Sequence, residues 1–239
     1  MKIEILFPEA CNLCGDLQNI RYLRQCCPEI EVIETDLKSR PAFLDEDVAL
    51  VYLASGTETG LALVVDALRP YLPEIRAKLD AGQKMLLTGN AQDAFGQYID
   101  SDMAPRMEGL GLLPCHAEYH MMKRHNSFYV GTFAESEEKI VGFKSLFGHT
   151  YGAPEEGELF RTVRGVGRNE NTALEGYRQG NLLATALIGP LLVLNPPLTR
   201  WLLRWIGADD HLAFEEAAMD AYRARVAEFS EENRPWRYS

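Results

Sequence analysis

The chain has 239 residues, of which 46% are hydrophobic and 10% aromatic, enough to bury a large core in one big domain or two small ones. The net charge of −11 disfavours nucleic acids and anionic membranes as partners, because both are polyanions that bind basic surfaces. The sequence has no run of roughly 20 apolar residues, and its start, MKIEILFPEA, lacks a secretory signal pattern, so we expect a cytoplasmic protein without a membrane span.

The first half of the chain alternates strand and helix patterns. Residues 1–7 and 30–35 are predicted strands, and a helical pattern opens at Gly15 between them. A third strand is predicted at 48–54 and is nearly all apolar, as is typical of a parallel strand covered by helices on both faces. The helical segment 61–81 contains two prolines, which are expected to divide it into two pieces.

The fourth predicted strand, residues 85–88, leads directly into the stretch GNAQDAFG at 89–96. The small residues there permit unusual backbone angles, so the stretch is predicted to form a sharp turn from strand to helix. In doubly wound folds, such turns at the ends of parallel strands carry the chemistry. This turn is therefore the first candidate for a functional site.

The second half of the chain has a different pattern. Strands are predicted at 127–132, 139–143 and 159–163, separated by glycine and acidic turns, and we expect them to be added to the sheet as antiparallel strands. Two closing helices are predicted at 198–206 and 211–229. The fold class is then α/β with a mixed, mostly parallel sheet. We expect one domain over 1–239, with a core at 1–206 and a C-terminal helix and tail at 207–239.

Several short stretches together resemble the class I, triad-type glutamine amidotransferases, closest to the glutaminase subunit of lipid II isoglutaminyl synthase. They are NLCGD at 12–16, LGLL at 110–113, VGF at 141–143, GVGRN at 165–169, GPLL at 189–192 and NP at 195–196. The set follows the family's order and nearly its spacing, and it is more loosely similar to the cobyric acid synthase type of amidotransferase domain. The resemblance implies a flavodoxin-like three-layer αβα sandwich and, as a partner, a Mur-ligase-like amidating subunit.

The resemblance also gives addresses to the catalytic residues. Glutamine hydrolysis needs a cysteine thiolate, a histidine and backbone amides that bind the oxyanion. The family's nucleophile pattern, close to Cys-Gly-Gly-Tyr-Gln-Leu-Leu-Gly, falls on 89–96, so Gly89 takes the place of the cysteine. The family's histidine stretch falls on ATALIGPLL at 184–192, so Ile188 takes the place of the histidine. The resemblance therefore implies a catalytically degenerate amidotransferase with no catalytic residue.

A vestigial pocket is expected around these two positions. The oxyanion-hole strand of the family ends in a glycine-rich run, whose counterpart here contains Ala54, Ser55 and Gly56. Asn90 and Gln92 on the turn after the fourth strand complete the expected pocket. A generic turn at the end of a strand is an alternative interpretation of the same residues.

Other reactive side chains have structural interpretations beside the functional ones. Thr88 precedes the vacant nucleophile position, but a shift of one residue along a strand turns the side chain to the opposite face. A thiolate metal site or redox pair and a Cys-His site are further alternatives, and we favour small buried cysteines and surface histidines over both, because no matched ligand pair accompanies them. These residues are Cys11, Cys14, Cys26, Cys27, Cys115, His116 and His120. No metal and no cofactor are expected.

Three functions follow from these observations. The first is a scaffold, regulatory or ligand-binding homologue of the glutaminase subunit of a cell-wall amidating complex. The alternative is an active glutaminase that supplies ammonia to a Mur-ligase-like amidotransferase or a cobyric-acid-type synthase, and the third is a redox or metal protein. Trp201 and Trp205 on one helix face, and the tail RPWRY at 234–238, are either core or partner surfaces.

Overall fold

The structure is a computed structural model, and it describes residues 1–238. Within these residues the chain forms fourteen strands and seven α-helices. The strands are β1 (Lys2–Leu6), β2 (Glu31–Thr35), β3 (Leu50–Leu53), β4 (Met85–Thr88), β5 (Tyr98–Ser101), β6 (Met107–Glu108), β7 (His116–Tyr119), β8 (His125–Phe133), β9 (Lys139–Leu146), β10 (Gly148–Tyr151), β11 (Phe160–Arg164), β12 (Leu174–Glu175), β13 (Tyr177–Gln179) and β14 (Leu182–Thr185). The helices are α1 (Gln18–Cys26), α2 (Glu58–Leu68), α3 (Leu72–Asp80), α4 (Ala91–Phe95), α5 (Leu191–Leu194), α6 (Pro196–Ile206) and α7 (Glu215–Ser230).

The central feature is a six-stranded sheet with the order β13-β14-β4-β3-β1-β2. All neighbours in it are parallel except β13, which pairs antiparallel with β14 at one edge. β3 and β4 are buried along their whole length, which explains their uninterrupted apolar sequences. The mixed, mostly parallel α/β sheet predicted from the sequence is confirmed.

The strand order determines where a ligand site can lie. From β1 the chain winds to β2 on one side and then returns to β3 on the other, which is the flavodoxin-like order. Right-handed crossovers place α1 on one face of the sheet and α2 with α3 on the opposite face. The loops after β1 and β3 therefore diverge and leave a crevice at the carboxyl ends of these strands.

The three antiparallel strands predicted at 127–132, 139–143 and 159–163 are arranged differently from the prediction. They are β8, β9 and β11, which do not join the six-stranded sheet but form a separate sheet with the order β12-β11-β8-β9; a further four-stranded sheet has the order β10-β7-β5-β6. The edge strands of the six-stranded sheet are β2 and β13, and β8, β9 and β11 pair with neither of them but with one another. The expectation that they extend the main sheet was therefore wrong.

One of two helix predictions agrees with the structure, and the other differs in its first residue. The segment predicted as two pieces over 61–81 is indeed divided, because α2 ends at Leu68 and α3 begins at Leu72 after a turn of 3₁₀-helix. The closing helix predicted from residue 211 begins only at Glu215. Phe214 has φ +54, a left-handed backbone conformation that cannot continue a right-handed helix.

Two hydrophobic cores stabilise the chain. The larger covers the six-stranded sheet and its helices, and the smaller joins α7 to β8 and β9. The smaller core contains Val130, Val141, Leu194, Tyr222 and Phe229, with Phe128 and Phe143 packed against it. Among residues 1–238, no helix has the length and apolar character needed to cross a lipid bilayer.

Candidate functional site

A cavity of about 210 Å³, here called the central cavity, opens at the carboxyl ends of four parallel strands. The loops after β1, β3, β4 and β14 form its floor, and the two small sheets supply its outer wall. Its lining residues are Leu13, Cys14, Ser55, Gly56, Thr57, Glu58, Gly89, Asn90, Gln92, Asp93, Tyr119, Arg124, Lys144, Ser145, Leu146, Phe147, Gly148, His149, Thr150, Arg168, Ala186 and Ile188. This is the crevice that the strand order creates, so the fold and the cavity indicate the same site.

The turn after β4 brings Gly89 into the cavity. Gly89 has φ +60, and a Cβ atom built on it would lie 2.5 Å from the Cβ of Ser55 and 3.2 Å from Cγ2 of Ile188. Real Cβ atoms do not approach a neighbouring Cβ atom so closely, so position 89 has no room for a side chain. The structure brings positions 89 and 188 into contact. Their correspondence to the family's catalytic cysteine and histidine stays a prediction.

The backbone of Ile188 is held by two hydrogen bonds to Phe143. Its N–H donates to Phe143 O at 3.0 Å and its carbonyl accepts from Phe143 N at 3.2 Å. The side chain is 8% exposed and is the apolar wall of the cavity next to Gly89. Because isoleucine has no titratable atom, this wall can neither hold nor move a proton.

The amide of Gly56 is already occupied. Gly56 N donates to Asn90 Oδ1 at 3.0 Å, and Asn90 Nδ2 donates to Gly56 O at 2.9 Å. The side-chain amide therefore clamps the end of β3 to the turn after β4, and the N–H group does not project into the cavity. The sequence analysis did not predict this pair. The feature that could have indicated it is Asn90 itself, which stands where the family's nucleophile pattern has glycine.

A buried polar network lies below the turn. Asp16 Oδ2 accepts from Thr88 Oγ1 at 2.8 Å, from Ser55 Oγ at 3.0 Å and from Ser55 N at 3.4 Å. Thr88 Oγ1 also contacts the Tyr52 hydroxyl at 2.8 Å. Burial raises the pKa of Asp16, and hydrogen bonds to its carboxylate oppose that shift. Thr88 is thus turned into the core, and its hydroxyl is not available to the cavity.

Of the residues expected at the pocket, Gln92 lines the cavity and Ala54 does not. Gln92 lines the cavity and donates to Thr150 Oγ1 at 3.1 Å, which joins α4 to β10. Ala54, by contrast, is fully buried and does not line the cavity, because it directly follows the buried strand β3. The expectation that Ala54 faces the pocket was therefore wrong.

One titratable group inside the cavity has an unusual environment. Burial raises the pKa of the Asp93 carboxyl to about 7, which the hydrogen bond from Tyr119 partly opposes and the charge of Glu175 increases. The Tyr119 hydroxyl donates to Asp93 Oδ2 at 2.7 Å. Asp93 can therefore exchange a proton near neutral pH. No sequence signal distinguished it, because its burial depends on the small sheet that contains Tyr119.

Two cationic side chains of the cavity, Lys144 and Arg168, bind other groups of the protein, although Arg168 Nη2 is buried without a hydrogen-bond partner among residues 1–238. The Lys144 ammonium pairs with Glu175, and Glu175 Oε1 accepts from Ala186 N at 2.9 Å. Arg168 donates from Nε to Gly176 O and from Nη1 to Pro154 O, both at 2.7 Å. Arg168 lies in the stretch GVGRN that contributed to the resemblance, but no role was predicted for it or for Glu175.

The cysteines and histidines do not converge. Cys14 is exposed and lines the cavity, whereas the other four cysteines are buried in separate places. Burial raises the pKa of Cys11 and of Cys115 to about 12, which keeps these thiols protonated. His120 lies 3.4 Å from Asp102 in an exposed pair. Over residues 1–238, no group of three or more His, Cys, Asp or Glu side chains is arranged to hold a metal ion.

The tryptophan pair predicted to be core or partner surface packs on the protein. The rings of Trp201 and Trp205 stack with centroids 5.5 Å apart, and Phe133 meets Trp201 edge-on at 4.8 Å. Both tryptophans are half-buried against the larger core. Core packing accounts for most of their surface.

Comparisons with known proteins agree with this architecture. The family of CobB/CobQ-like glutamine amidotransferase domains matches residues 2–193, so α6 and α7 lie beyond the match. The subunit GatD of lipid II isoglutaminyl synthase (glutamine-hydrolyzing) from Staphylococcus aureus (strain N315) is 28% identical over 214 residues, which are 87% of this chain and 85% of that protein.

Solved structures give the same fold. A glutamine amidotransferase crystal structure superposes with a TM-score of 0.56 at 18% identity, over 86% of this chain and 99% of that one. PurLQS from Thermotoga maritima superposes with a TM-score of 0.55 at 13% identity, over 93% of this chain and 97% of that one. At these identities the likeness supports the fold alone.

Proposed function

Because the chain belongs to the family of CobB/CobQ-like glutamine amidotransferase domains, we propose that it is a catalytically degenerate member, which retains the family's cavity without glutaminase chemistry. Its role is that of a scaffold, regulatory or ligand-binding homologue of a glutaminase subunit. The observation that carries this proposal is the contact between Ser55 and the Cβ position of Gly89. A nucleophilic side chain needs a Cβ atom, and at position 89 that atom would overlap Ser55.

The other requirements of acyl transfer also fail at this site. A thiol nucleophile needs a neighbouring base, and an oxyanion needs backbone N–H groups aimed at the reacting oxygen. Ile188 supplies no base, and the Gly56 N–H is hydrogen-bonded to Asn90. The nucleophile, the base and the free oxyanion donor are therefore all missing. Restoring one of these groups leaves the other two absent.

Cys14 is the residue that the alternative of an active glutaminase would have to use. It lines the cavity and is the exposed cysteine among residues 1–238. Partial burial raises its pKa, and the charge of Asp16 adds to that effect, although Arg124 opposes it. A catalytic thiol needs a lowered pKa instead. The overall direction of the shift at Cys14 therefore does not favour the alternative.

We propose a Mur-ligase-like amidating subunit as the partner. The similarity to a subunit of lipid II isoglutaminyl synthase extends over 87% of the chain, which supports retention of a subunit surface as well as the fold. A non-catalytic homologue that binds such a partner would position it or compete with an active glutaminase. Affinity capture with the full chain, followed by mass spectrometry, should recover an amidating ligase; recovery of no ligase from a lysate that contains one would contradict this part.

The enzymatic part is tested with a glutamine analogue that alkylates nucleophilic cysteines, followed by intact mass measurement. We expect no stoichiometric adduct, since the four other cysteines are buried and the Cys14 thiol is not activated. The control is iodoacetamide, which reacts with accessible thiols regardless of the site and should add one label at Cys14. One analogue adduct that forms faster than the iodoacetamide label would overturn the proposal.

A further inference from the structure

One wall of the central cavity carries a carboxyl group with a free oxygen. Asp93, on α4, is 8% exposed and lines the cavity. Its Oδ2 accepts from the Tyr119 hydroxyl at 2.7 Å, whereas its Oδ1 accepts no hydrogen bond among residues 1–238 and is not enclosed by protein atoms. The free oxygen therefore faces the open space that Asp93 borders, which is the central cavity.

The preceding residue on α4 adds a second free acceptor to this wall. Gln92 is 6% exposed, and its amide nitrogen donates to Thr150 Oγ1 at 3.1 Å. Its amide oxygen, Oε1, accepts no hydrogen bond from the described part of the chain, and it is not enclosed either. Buried polar side chains normally have all their partners within the protein. Two adjacent acceptors that lack a donor indicate a wall built for a ligand with donors.

The cations of the cavity are engaged elsewhere. Lys144 is paired with Glu175, and Arg168 donates to two backbone carbonyls. Arg124 lies over a phenylalanine ring, with its guanidinium carbon 5.2 Å from the ring centroid. None of them forms an ion pair with Asp93 among residues 1–238. A carboxyl group in such surroundings either keeps a proton or binds a cation from outside the chain.

The groups packed around Asp93 make its charge sensitive to pH near neutrality. Burial and the charge of Glu175 on β12 raise the pKa of Asp93 to about 7, and the hydrogen bond from Tyr119 on β7 opposes them. Cys115, just before β7, keeps its proton and adds no charge. The other titratable groups on the elements packed against α4 are partly or fully exposed, namely Glu58 and Asp66 on α2 and Tyr98 and Asp100 on β5.

An ammonium group matches this wall. It has three donors and one positive charge, which suit a carboxylate and an amide oxygen side by side. The cavity also has an apolar wall, formed by Leu146, Phe147 and Ile188, against which an alkyl group can pack. A small primary amine combines these two parts in one molecule.

We propose that the central cavity binds a small primary amine as its ammonium ion, with the Asp93 carboxylate as the counter-ion and Gln92 Oε1 as a second acceptor. The alkyl body of the amine lies along Ile188. This inference rests on the proposed function, because it assigns a ligand class to the cavity that a non-catalytic family member retains.

The proposed site makes binding depend on pH. Small primary amines, like the lysine side chain, stay protonated below about pH 9, so between pH 6 and pH 8 only Asp93 changes its charge. With its pKa at about 7, roughly a tenth of the carboxyl is ionised at pH 6 and roughly nine tenths at pH 8. The ammonium ion binds the ionised form, so its affinity should rise about tenfold over this range.

The test is an NMR titration of the isotope-labelled full chain with ethylamine and n-butylamine at pH 6 and pH 8. We expect saturable shifts of the Asp93 and Tyr119 amides and a dissociation constant about tenfold lower at pH 8. The neutral analogue n-butanol should give no saturable shift at either pH. Asp93→Asn, which keeps an oxygen for Tyr119, should weaken amine binding at pH 8 about tenfold and remove its pH dependence. Asp66→Asn is the control, because it removes the same charge from the exposed face of α2.

Three results would overturn the proposal: no saturable binding of either amine at pH 8, equal affinity at both pH values, or equal weakening by Asp66→Asn and Asp93→Asn. The last result would mean general attraction of cations to an acidic protein. The comparison of the two pH values in the parent chain decides the matter if Asp93→Asn does not fold. Ammonia release from glutamine, measured separately, tests the proposed function: hydrolysis would overturn that function whatever the amines do, whereas neither hydrolysis nor amine binding would overturn this inference alone.

Discussion

Position 89 shows how neighbouring residues can exclude a side chain. Gly180 provides a matched control, because it has nearly the same positive φ as Gly89, +57 against +60, but no atom within 4 Å of its Cβ position. We expect Gly180→Cys to lower the free energy of unfolding by about 1 kcal/mol, because cysteine is less stable than glycine in this left-handed backbone conformation. Gly89→Cys should lose about 1–3 kcal/mol more, because its Cβ overlaps that of Ser55. Denaturant unfolding of both variants measures the difference, and equal losses would contradict the overlap.

The same contacts predict what restoration of the active site requires. Gly89→Cys with Ile188→His should release no ammonia from glutamine. Adding Ser55→Gly removes the overlap at position 89 but should not bring activity, because Asn90 still occupies the Gly56 N–H. One missing oxyanion donor costs about 10²–10³ in rate, so Asn90→Gly is needed in addition. Robust hydrolysis by the first double variant would show that only two side chains had been lost and that the oxyanion site was intact.

Asp93 predicts a pH dependence of stability. Its pKa is raised from 3.8 to about 7 in the folded chain. A raised acid stabilises the fold while it is protonated, so its contribution is complete below about pH 4 and is lost as the pH rises to about 7. Asp93→Asn, which keeps an oxygen for Tyr119, should remove this loss. Unfolding free energies of the variant and the parent chain, measured from pH 4 to pH 7, should therefore diverge progressively, and a constant difference would contradict the assignment.

At the scale of elements, α2 begins at the cavity rim with a side-chain cap. Thr57 Oγ1 accepts from Gly60 N at 3.0 Å, which satisfies one of the free N–H groups of the first turn. Thr57→Ala should cost about 1 kcal/mol of unfolding free energy. Thr59→Ala is the matched control, since Thr59 is exposed and lies inside the first turn, and it should cost much less. Similar losses in both variants would show that the cap does not contribute.

The elements also show what the sequence could and could not predict. β3 and β4 were predictable because buried parallel strands have nearly continuous apolar sequences, and β1 and β2 because their apolar residues recur at strand spacing. The sheet membership of β8, β9 and β11 was not, because alternation shows that a segment is a strand but not which strand it pairs with. At the site, the short stretches placed Gly89 beside Ile188. The clamp of Asn90 on Gly56 and the burial of Asp93 depend on contacts between distant segments, which no local pattern encodes.

At the scale of the whole molecule, one buried ion pair lies where the sheet of β8, β9, β11 and β12 meets the end of β14 in the main sheet. Lys144 on β9 pairs with Glu175 on β12, and Glu175 also accepts from Thr185 Oγ1 at 2.9 Å and from Ala186 N at the end of β14. Both charges are fully buried. Removing one partner leaves the other charge uncompensated, so Lys144→Met should cost about 3–5 kcal/mol of unfolding free energy.

The control for this pair is Lys139→Met, at the exposed start of the same strand, which should cost little. Thermal or denaturant unfolding measures both variants. If Lys144→Met is as stable as Lys139→Met, the buried pair does not hold the sheets together. A selective loss would mean that the outer wall of the cavity depends on a contact remote from the turn that carries Gly89.

The most direct test of the absence of glutaminase chemistry is ammonia release from glutamine by the purified full chain, measured beside the Cys14→Ser variant and a protein-free blank. We predict that the chain and the variant both match the blank, because no described residue supplies an activated thiol and a base at the turn after β4. Turnover above the blank that one substitution abolishes would contradict this account and would identify the residue that performs the reaction.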